Sequence, residues 1–173
     1  MVQALQSRAQ GPEEAEASAP MFDLIELFFF AYRDFVGDAD RLLEDFGFGR
    51  AHHRVLHFVN RQPGLMIAEL LDILGITKQS LNRVLKELLD TGYVEARPGV
   101  TDRRQRLLFP TAKGRRLAMD LSDLQSRRFE RALSELPKDA KLPAIDFLLA
   151  MIDPAQRDKV TSLVWGKPRE ETK

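Results

Sequence analysis

The stretch "LGITKQSLNRVLKELLDTGYVEARPGVTDRRQRLLF", residues 74–109, decides the fold. Gly75 sits where the chain must turn sharply, and Thr77 follows as a helix cap whose hydroxyl can accept from the backbone N–H of Gln79 or Ser80. Leu81, Val84, Leu85 and Leu88 then recur at three- and four-residue steps, which predicts a helix with one buried stripe. Lys78, Gln79, Asn82, Arg83 and Lys86 are left on the opposite face. Gly92 closes the helix, and two short β-type runs around Pro98 and Gly99 predict a hairpin. Its tip carries Arg103 and Arg104 beside Asp102.

Upstream, residues 65–74 read as a helix with Ile67, Leu70, Leu71 and Leu74 on one side. Residues 50–62 form another, with Val55, Leu56 and Val59 inward, stopped by Pro63-Gly64. Between Met21 and Phe46 the apolar positions Phe22, Ile25, Phe28, Phe29, Tyr32, Phe35, Val36, Leu42 and Leu43 mark a long helix with a wide apolar face. That face holds more phenylalanine than one small domain needs, which points to a second chain, with core packing inside one chain as the alternative. Downstream, Thr111 opens a long amphipathic helix to about Leu136, Pro137 ends it, and a further helix uses Ile145, Phe147, Leu148 and Leu149. Asp153-Pro154 predicts a capped final short helix carrying Val160, Leu163 and Trp165. Residues 1–19, rich in Ala, Gln, Glu and Ser and broken by Gly11-Pro12, are expected to be a flexible tail.

The 173 residues suffice for one domain with an appended helical region, and the absence of cysteine excludes disulfides, thiolate metal sites and thiol redox sensing. Residues 1–20 lack a signal peptide's apolar core, and the run from Leu24 to Tyr32 is interrupted by Glu26 and closed by Arg33 and Asp34. A cytoplasmic protein with no membrane partner is expected. The formal net charge of zero conceals a sorting of charge. Residues 1–49 hold three basic against ten acidic side chains, whereas residues 77–116 hold ten basic against four acidic. A local positive field of this kind is the footprint of a nucleic-acid surface, the alternative being ordinary solvated charge.

Helix, tight turn, second helix with a polar face and basic hairpin is the order of a winged helix-turn-helix. The second helix of such a pair enters the major groove, where Gln and Asn can pair with adenine and Arg with guanine through two hydrogen bonds each. Alternation along an extended wing places Asp102 and Arg104 on one side, so that the carboxylate can hold the guanidinium towards a minor groove. No phosphate loop, Gly-x-Ser-x-Gly or cysteine nucleophile is present, and Asp38 and Asp40 read as solvated charge, so no catalytic residue, enzyme activity or cofactor is expected. His53 and His57 have the spacing that puts two imidazoles on one helical face, but a metal site needs further ligands and Glu44 and Asp45 lie across a glycine-rich turn. No metal site is assigned. Histidines satisfied at a helix–helix contact are the expectation, and a metal-responsive regulator using His53 and His57 is an alternative. A winged-helix module for protein contact is another.

Residues 65–114 resemble the MarR family of bacterial transcription regulators, marked by an Asp-x-Arg-Arg-like wing and a Leu-x-x-Thr-x-x-Gly run into a dimerisation helix, here Leu108, Thr111 and Gly114. The stretch "MFDLIELFFFAYRDFVGDADRLLEDFGFGRAHHRVLHFVN" is similar to PetP-type members of alphaproteobacteria, and the resemblance as a whole covers residues 21–136. It implies a mainly α chain with long N- and C-terminal dimerisation helices and a two-stranded β wing. In that frame residues 20–49 are the N-terminal dimerisation helix, 50–110 the DNA-binding lobe and 111–173 the C-terminal dimerisation helices. The implied function is a sequence-specific DNA-binding regulator, a homodimer on double-stranded palindromic DNA, modulated by a small-molecule effector. Candidate DNA contacts are Thr77, Lys78, Gln79, Ser80, Asn82, Arg83, Lys86, Asp102, Arg103 and Arg104, with Arg104 on the position that enters the minor groove. Phe29, Tyr32, His53 and His57 are candidates for the effector pocket. Two departures stand out: Met66 where the family has a capping Ser or Thr, and Pro110, which is expected to end the second wing strand early.

Overall fold

The computed structural model describes residues 19–99 and 102–166; the expected tail over residues 1–19 falls almost wholly outside them. Two compact units are present, Met1–Asp34 and Phe35–Lys173. Helix α1 (Phe22–Glu44) begins in the first and ends in the second. The elements that follow are α2 (Arg50–Arg61), β1 (Leu65–Met66), α3 (Ile67–Leu74), α4 (Lys78–Asp90), β2 (Val94–Pro98), β3 (Arg106–Pro110), α5 (Ala112–Ser134), α6 (Lys141–Met151), a 3-10 turn (Pro154–Gln156) and α7 (Arg157–Trp165).

The core of the second unit is built from the stripes that the periodicity marks. Val55, Leu56 and Val59 of α2 meet Leu70 of α3, Leu81, Val84, Leu85 and Leu88 of α4, and Leu117, Ala118 and Leu121 of α5, with Ala39 and Leu43 from the end of α1. At roughly 25 cal/mol per Å² of apolar surface removed from water, each such leucine contributes about 1.5–3 kcal/mol, which is ample to fix α4 on its scaffold.

Residues 65–74 are not all helix. Leu65 and Met66 form β1 and pair with Leu108 and Leu107 of β3, giving a three-stranded antiparallel sheet in the order β1-β3-β2. A two-residue strand has no periodicity of its own, so the apolar run hid it. Met66 has no hydroxyl to cap α3, yet its own N–H donates to Glu69 Oε2 at 2.8 Å. The carboxylate arm of a capping box therefore survives where the hydroxyl arm is missing.

Pro110 does not shorten the wing: β3 runs through it, with Pro110 opposite Val94. The next residue, Thr111, donates its N–H to Tyr93 O at 3.1 Å. In an antiparallel ladder the neighbouring pair is then a non-hydrogen-bonded one, so no N–H is required of residue 110 on the β2 side. On its other side β1 reaches only Leu107 and Leu108, and the missing donor costs nothing.

The Thr-x-x-Gly run has a mechanical reading. Thr111 Oγ1 accepts from Gly114 N at 3.0 Å, capping α5, and donates to Gly92 O at 2.7 Å, which ties α5 to the turn behind α4. Gly114 is pressed on that turn so closely that a Cβ there would lie 1.9 Å from Tyr93 O. Asp38 and Asp40 are not merely solvated. Asp38 accepts from Arg128 Nε and Nη2 of α5 at 2.9 and 2.6 Å and also pairs with Arg41, and Asp40 accepts from Arg50 Nε at 2.7 Å. The Asp-Pro pair caps the 3-10 turn that leads into α7 and not α7 itself: Asp153 Oδ1 accepts from Ala155 N at 2.9 Å, and α7 starts at Arg157 without a side-chain cap. Helix α7 is tied to the lobe by Lys159 to Asp72 and by Arg61 Nη2 donating to Val164 O at 3.2 Å.

Candidate nucleic-acid interface

Helices α3 and α4 are joined through Gly75, which holds φ +61° as the left-handed C-cap of α3. A residue with a Cβ is disfavoured in that region, so glycine is what permits so short a turn. Thr77 then caps α4, Oγ1 accepting from Ser80 N at 3.2 Å and donating to Ser80 Oγ at 2.9 Å. Both hydroxyls thus serve the helix start.

With Leu81, Val84, Leu85 and Leu88 buried, Lys78, Gln79, Ser80, Asn82, Arg83 and Lys86 are all exposed on one side of α4. They occupy its first two and a half turns, the part that reaches base edges when such a helix lies in a major groove. The backbone N–H groups that Thr77 leaves uncapped and the positive end of the helix dipole add to the field there. Lys86 is drawn to Asp90 one turn on, and that carboxylate holds its ammonium pKa above the usual value.

The wing tip is a turn, not an extended strand. Asp102 Oδ1 accepts the backbone N–H of Arg104 at 2.9 Å, Gln105 N donates to Asp102 O at 3.1 Å, and Gly99 N donates to Gln105 O at 3.0 Å. The carboxylate therefore orients Arg104 through its backbone, and the direct carboxylate–guanidinium contact expected from alternation is replaced by an Asx-type turn, the local bond that Asp makes most readily. Gly99 closes the tip, since a Cβ there would meet Asp102 O at 2.6 Å. Arg103, Arg104 and Arg106 are exposed around this turn. Arg97, which sequence reasoning passed over, stacks on Phe109 at 4.4 Å from the ring centroid and pairs with Glu95, stiffening the base of the hairpin.

The residues considered for an effector fall into different units. Phe29 and Tyr32 lie in the first, 60 % and 43 % exposed, with Phe29 edge-on to Phe30 at 5.3 Å. His53 and His57 lie half-buried on α2 in the second. Burial pushes both imidazoles below their ordinary pKa; His57 adds to this at His53, and Asp40 opposes it. His57 lines a cavity of about 130 Å³ with Phe58, Arg61, Gln62, Leu163 and Val164. Among the described residues no group of three or more His, Cys, Asp or Glu is placed to hold a metal ion. No described helix is long and apolar enough to cross a membrane.

Of the three histidines, His52 is the one most engaged. Its Nδ1 accepts from Gly49 N at 3.1 Å, its Nε2 lies 2.7 Å from Glu87 Oε2 on α4, and its ring stacks on Phe48 with centroids 4.7 Å apart. Its position three residues after the Gly49 N-cap was the legible signal for the first contact. Nothing local announces the second, 35 residues away.

A helix pair with its polar face outward, followed by an arginine-tipped hairpin, defines a winged helix-turn-helix DNA-binding protein. The MarR family model matches residues 46–105. The HTH-type transcriptional regulator PetP of Rhodobacter capsulatus is 49 % identical over 133 residues, which is 77 % of this chain and 80 % of PetP. The chain belongs to the MarR family, and with it to the DNA-binding transcription regulators rather than to the enzymes. Among solved structures, MepR of S. aureus in its DNA-binding conformation superposes with a TM-score of 0.64 at 18 % identity, covering 74 % of this chain and 95 % of that one. A mutant MarR of E. coli complexed with operator DNA gives 0.58 at 20 % identity, covering 79 % and 100 %. These likenesses are of fold.

Proposed function

We propose that two copies of this chain bind one palindromic operator, each laying α4 in a major groove and its wing tip against the adjacent minor groove. The observation that carries the reading is the exposed row Lys78, Gln79, Asn82 and Arg83 at the start of α4, in the same compact unit as the exposed arginines of the wing. Gln79 and Asn82 suit adenine and Arg83 suits guanine, at about 1–3 kcal/mol of discrimination per good pair. Arg103 and Arg104 supply charge where the minor groove narrows. Dimer formation is supported by apolar surface that each unit leaves uncovered. Phe22, Phe28, Phe29 and Phe30 are 48–64 % exposed in the first. In the second, Phe129, Leu136, Leu142, Phe147 and Leu148 are 48–69 % exposed, around a groove of about 360 Å³ between α5 and α6. Patches of this extent mark interfaces.

Control by a small molecule is the third part of the reading, with Phe29 and Tyr32 in one unit and His53 and His57 in the other as its candidate contacts. The cavity beside His57 is smaller than the roughly 300–1,000 Å³ of ordinary ligand pockets, which restricts an effector seated there to a small fragment. The test is duplex binding across a range of salt, with sedimentation of the full chain alongside. The reading expects a dimer whose log K falls linearly with log salt by about 0.9 per phosphate neutralised. A monomer, or binding indifferent to salt, would favour the protein-contact module instead.

A further inference from the structure

His52 stands at the join between α2 and α4, and its chemistry is fixed by its neighbours. Because Nδ1 accepts the Gly49 N–H at 3.1 Å, the ring proton available for donation sits on Nε2. That Nε2–H donates to Glu87 Oε2 at 2.7 Å. The side chain of His52 is only 12 % exposed, while that of Glu87 is 48 % exposed. A donor held by the start of α2 and by stacking on Phe48 therefore fixes a carboxylate on the outer part of α4. Glu87 lies one helical turn beyond Arg83 and next to Lys86.

We propose that His52 and Glu87 are a positioning pair for operator recognition. The bond draws the Glu87 carboxylate towards α2 and away from Arg83, which leaves the guanidinium to meet a base edge. Released, that carboxylate can swing to Arg83 at i, i+4 spacing, neutralising a base-reading cation and placing a negative charge near phosphate. Neither residue touches DNA in this scheme; both act through Arg83. The inference rests on α4 being the groove-entering helix, as proposed above.

The test compares the full-length protein with His52→Leu, Glu87→Ala, the double variant and His52→Gln, on a duplex selected by the wild-type protein from a random pool and on a scrambled duplex of equal length. Loss of one hydrogen bond to a charged group predicts about a tenfold fall in the specific-to-scrambled ratio for His52→Leu. Glu87→Ala added to His52→Leu removes the released carboxylate and should restore most of the ratio, Glu87→Ala alone should change it little, and His52→Gln, which can still donate to Glu87, should keep most of it. Thermal melting of each variant separates this from lost stability, because a smaller folded fraction lowers binding to both duplexes equally and leaves the ratio alone. An unchanged ratio in His52→Leu, or independent effects of the two substitutions, would overturn the pairing. A wild-type protein that does not distinguish the two duplexes would instead overturn the DNA reading on which it rests.

Discussion

Alanine at Gly114 puts two effects of opposite sign in competition. Helix propensity favours the substitution by at most about 1 kcal/mol, and by less in the first turn where Gly114 lies. Against this, the new Cβ would stand 1.9 Å from Tyr93 O and 2.8 Å from Tyr93 C, both backbone atoms that cannot rotate aside. Either α5 must lift from the turn behind α4, loosening the Thr111 bonds to Gly92 and Gly114, or Tyr93 must retreat from its contact with Phe48, where the ring centroids lie 5.0 Å apart. Overpacking of this severity costs about 3 kcal/mol or more, so the net loss is about 2 kcal/mol or more. In a chain of this length that lowers the melting temperature by roughly 4–8 °C. Differential scanning calorimetry at fixed protein concentration measures it, with Gly49→Ala as the control. Gly49 has φ −137° and nothing within 4 Å of its ideal Cβ. Its variant should melt within about 2 °C of wild type, in line with the small gain of an unstrained Gly→Ala change. A Gly114→Ala protein as stable as that control would refute the close-approach argument.

On the wing, Arg104→Ala should lower duplex affinity and reduce the salt slope by about one phosphate's worth. Asp102→Ala should also weaken binding, although it removes a negative charge, because the turn that aims Arg104 loses its acceptor; fluorescence anisotropy at matched ionic strength reads both, and tighter binding by Asp102→Ala would contradict the turn. At Asp38, the Arg128 hydrogen bond holds the carboxyl below its ordinary value of 3.8. A depressed carboxyl adds stability that is present above 3.8 and lost as pH falls through the lower folded value, so the deficit of Asp38→Asn at neutral pH should close in strong acid, as melting curves across pH will show. His53 and His57 act in the other range: both are favoured neutral when folded, so stability should decline as pH falls below 6.5, and less steeply in His57→Asn.

Where a feature repeats along the chain, the sequence disclosed it. The stripe from Leu81 to Leu88 lies fully in the core, Thr77 and Thr111 cap the helices they precede, and the expected hairpin forms, with Pro98 as the last residue of its first strand. What escaped notice depends on partners distant in sequence. Strand β1 exists because Leu107 and Leu108 come alongside Leu65 and Met66, and its two residues were absorbed into the apolar pattern of α3. Pro110 signalled a break that the register cancels. Asp102 found the Arg104 amide before its guanidinium, because a short carboxylate reaches its own backbone with less loss of freedom than a salt bridge demands. Beyond its place three residues after Gly49, nothing in the sequence separated His52 from His53 until the fold brought Glu87 to it.

The central claim is that α4 reads bases and that two copies do so together. Parallel selection of duplexes from a random pool by the full-length protein and by Arg83→Ala tests it most directly. An inverted repeat is expected, with half-site centres about 34–36 Å apart or a multiple of that. Arg83→Ala should enrich the same repeat with preference lost at one symmetrically related position in each half, at a cost of about 1–3 kcal/mol per half-site. Identical motifs from the two proteins, or a motif without two-fold symmetry, would contradict the account.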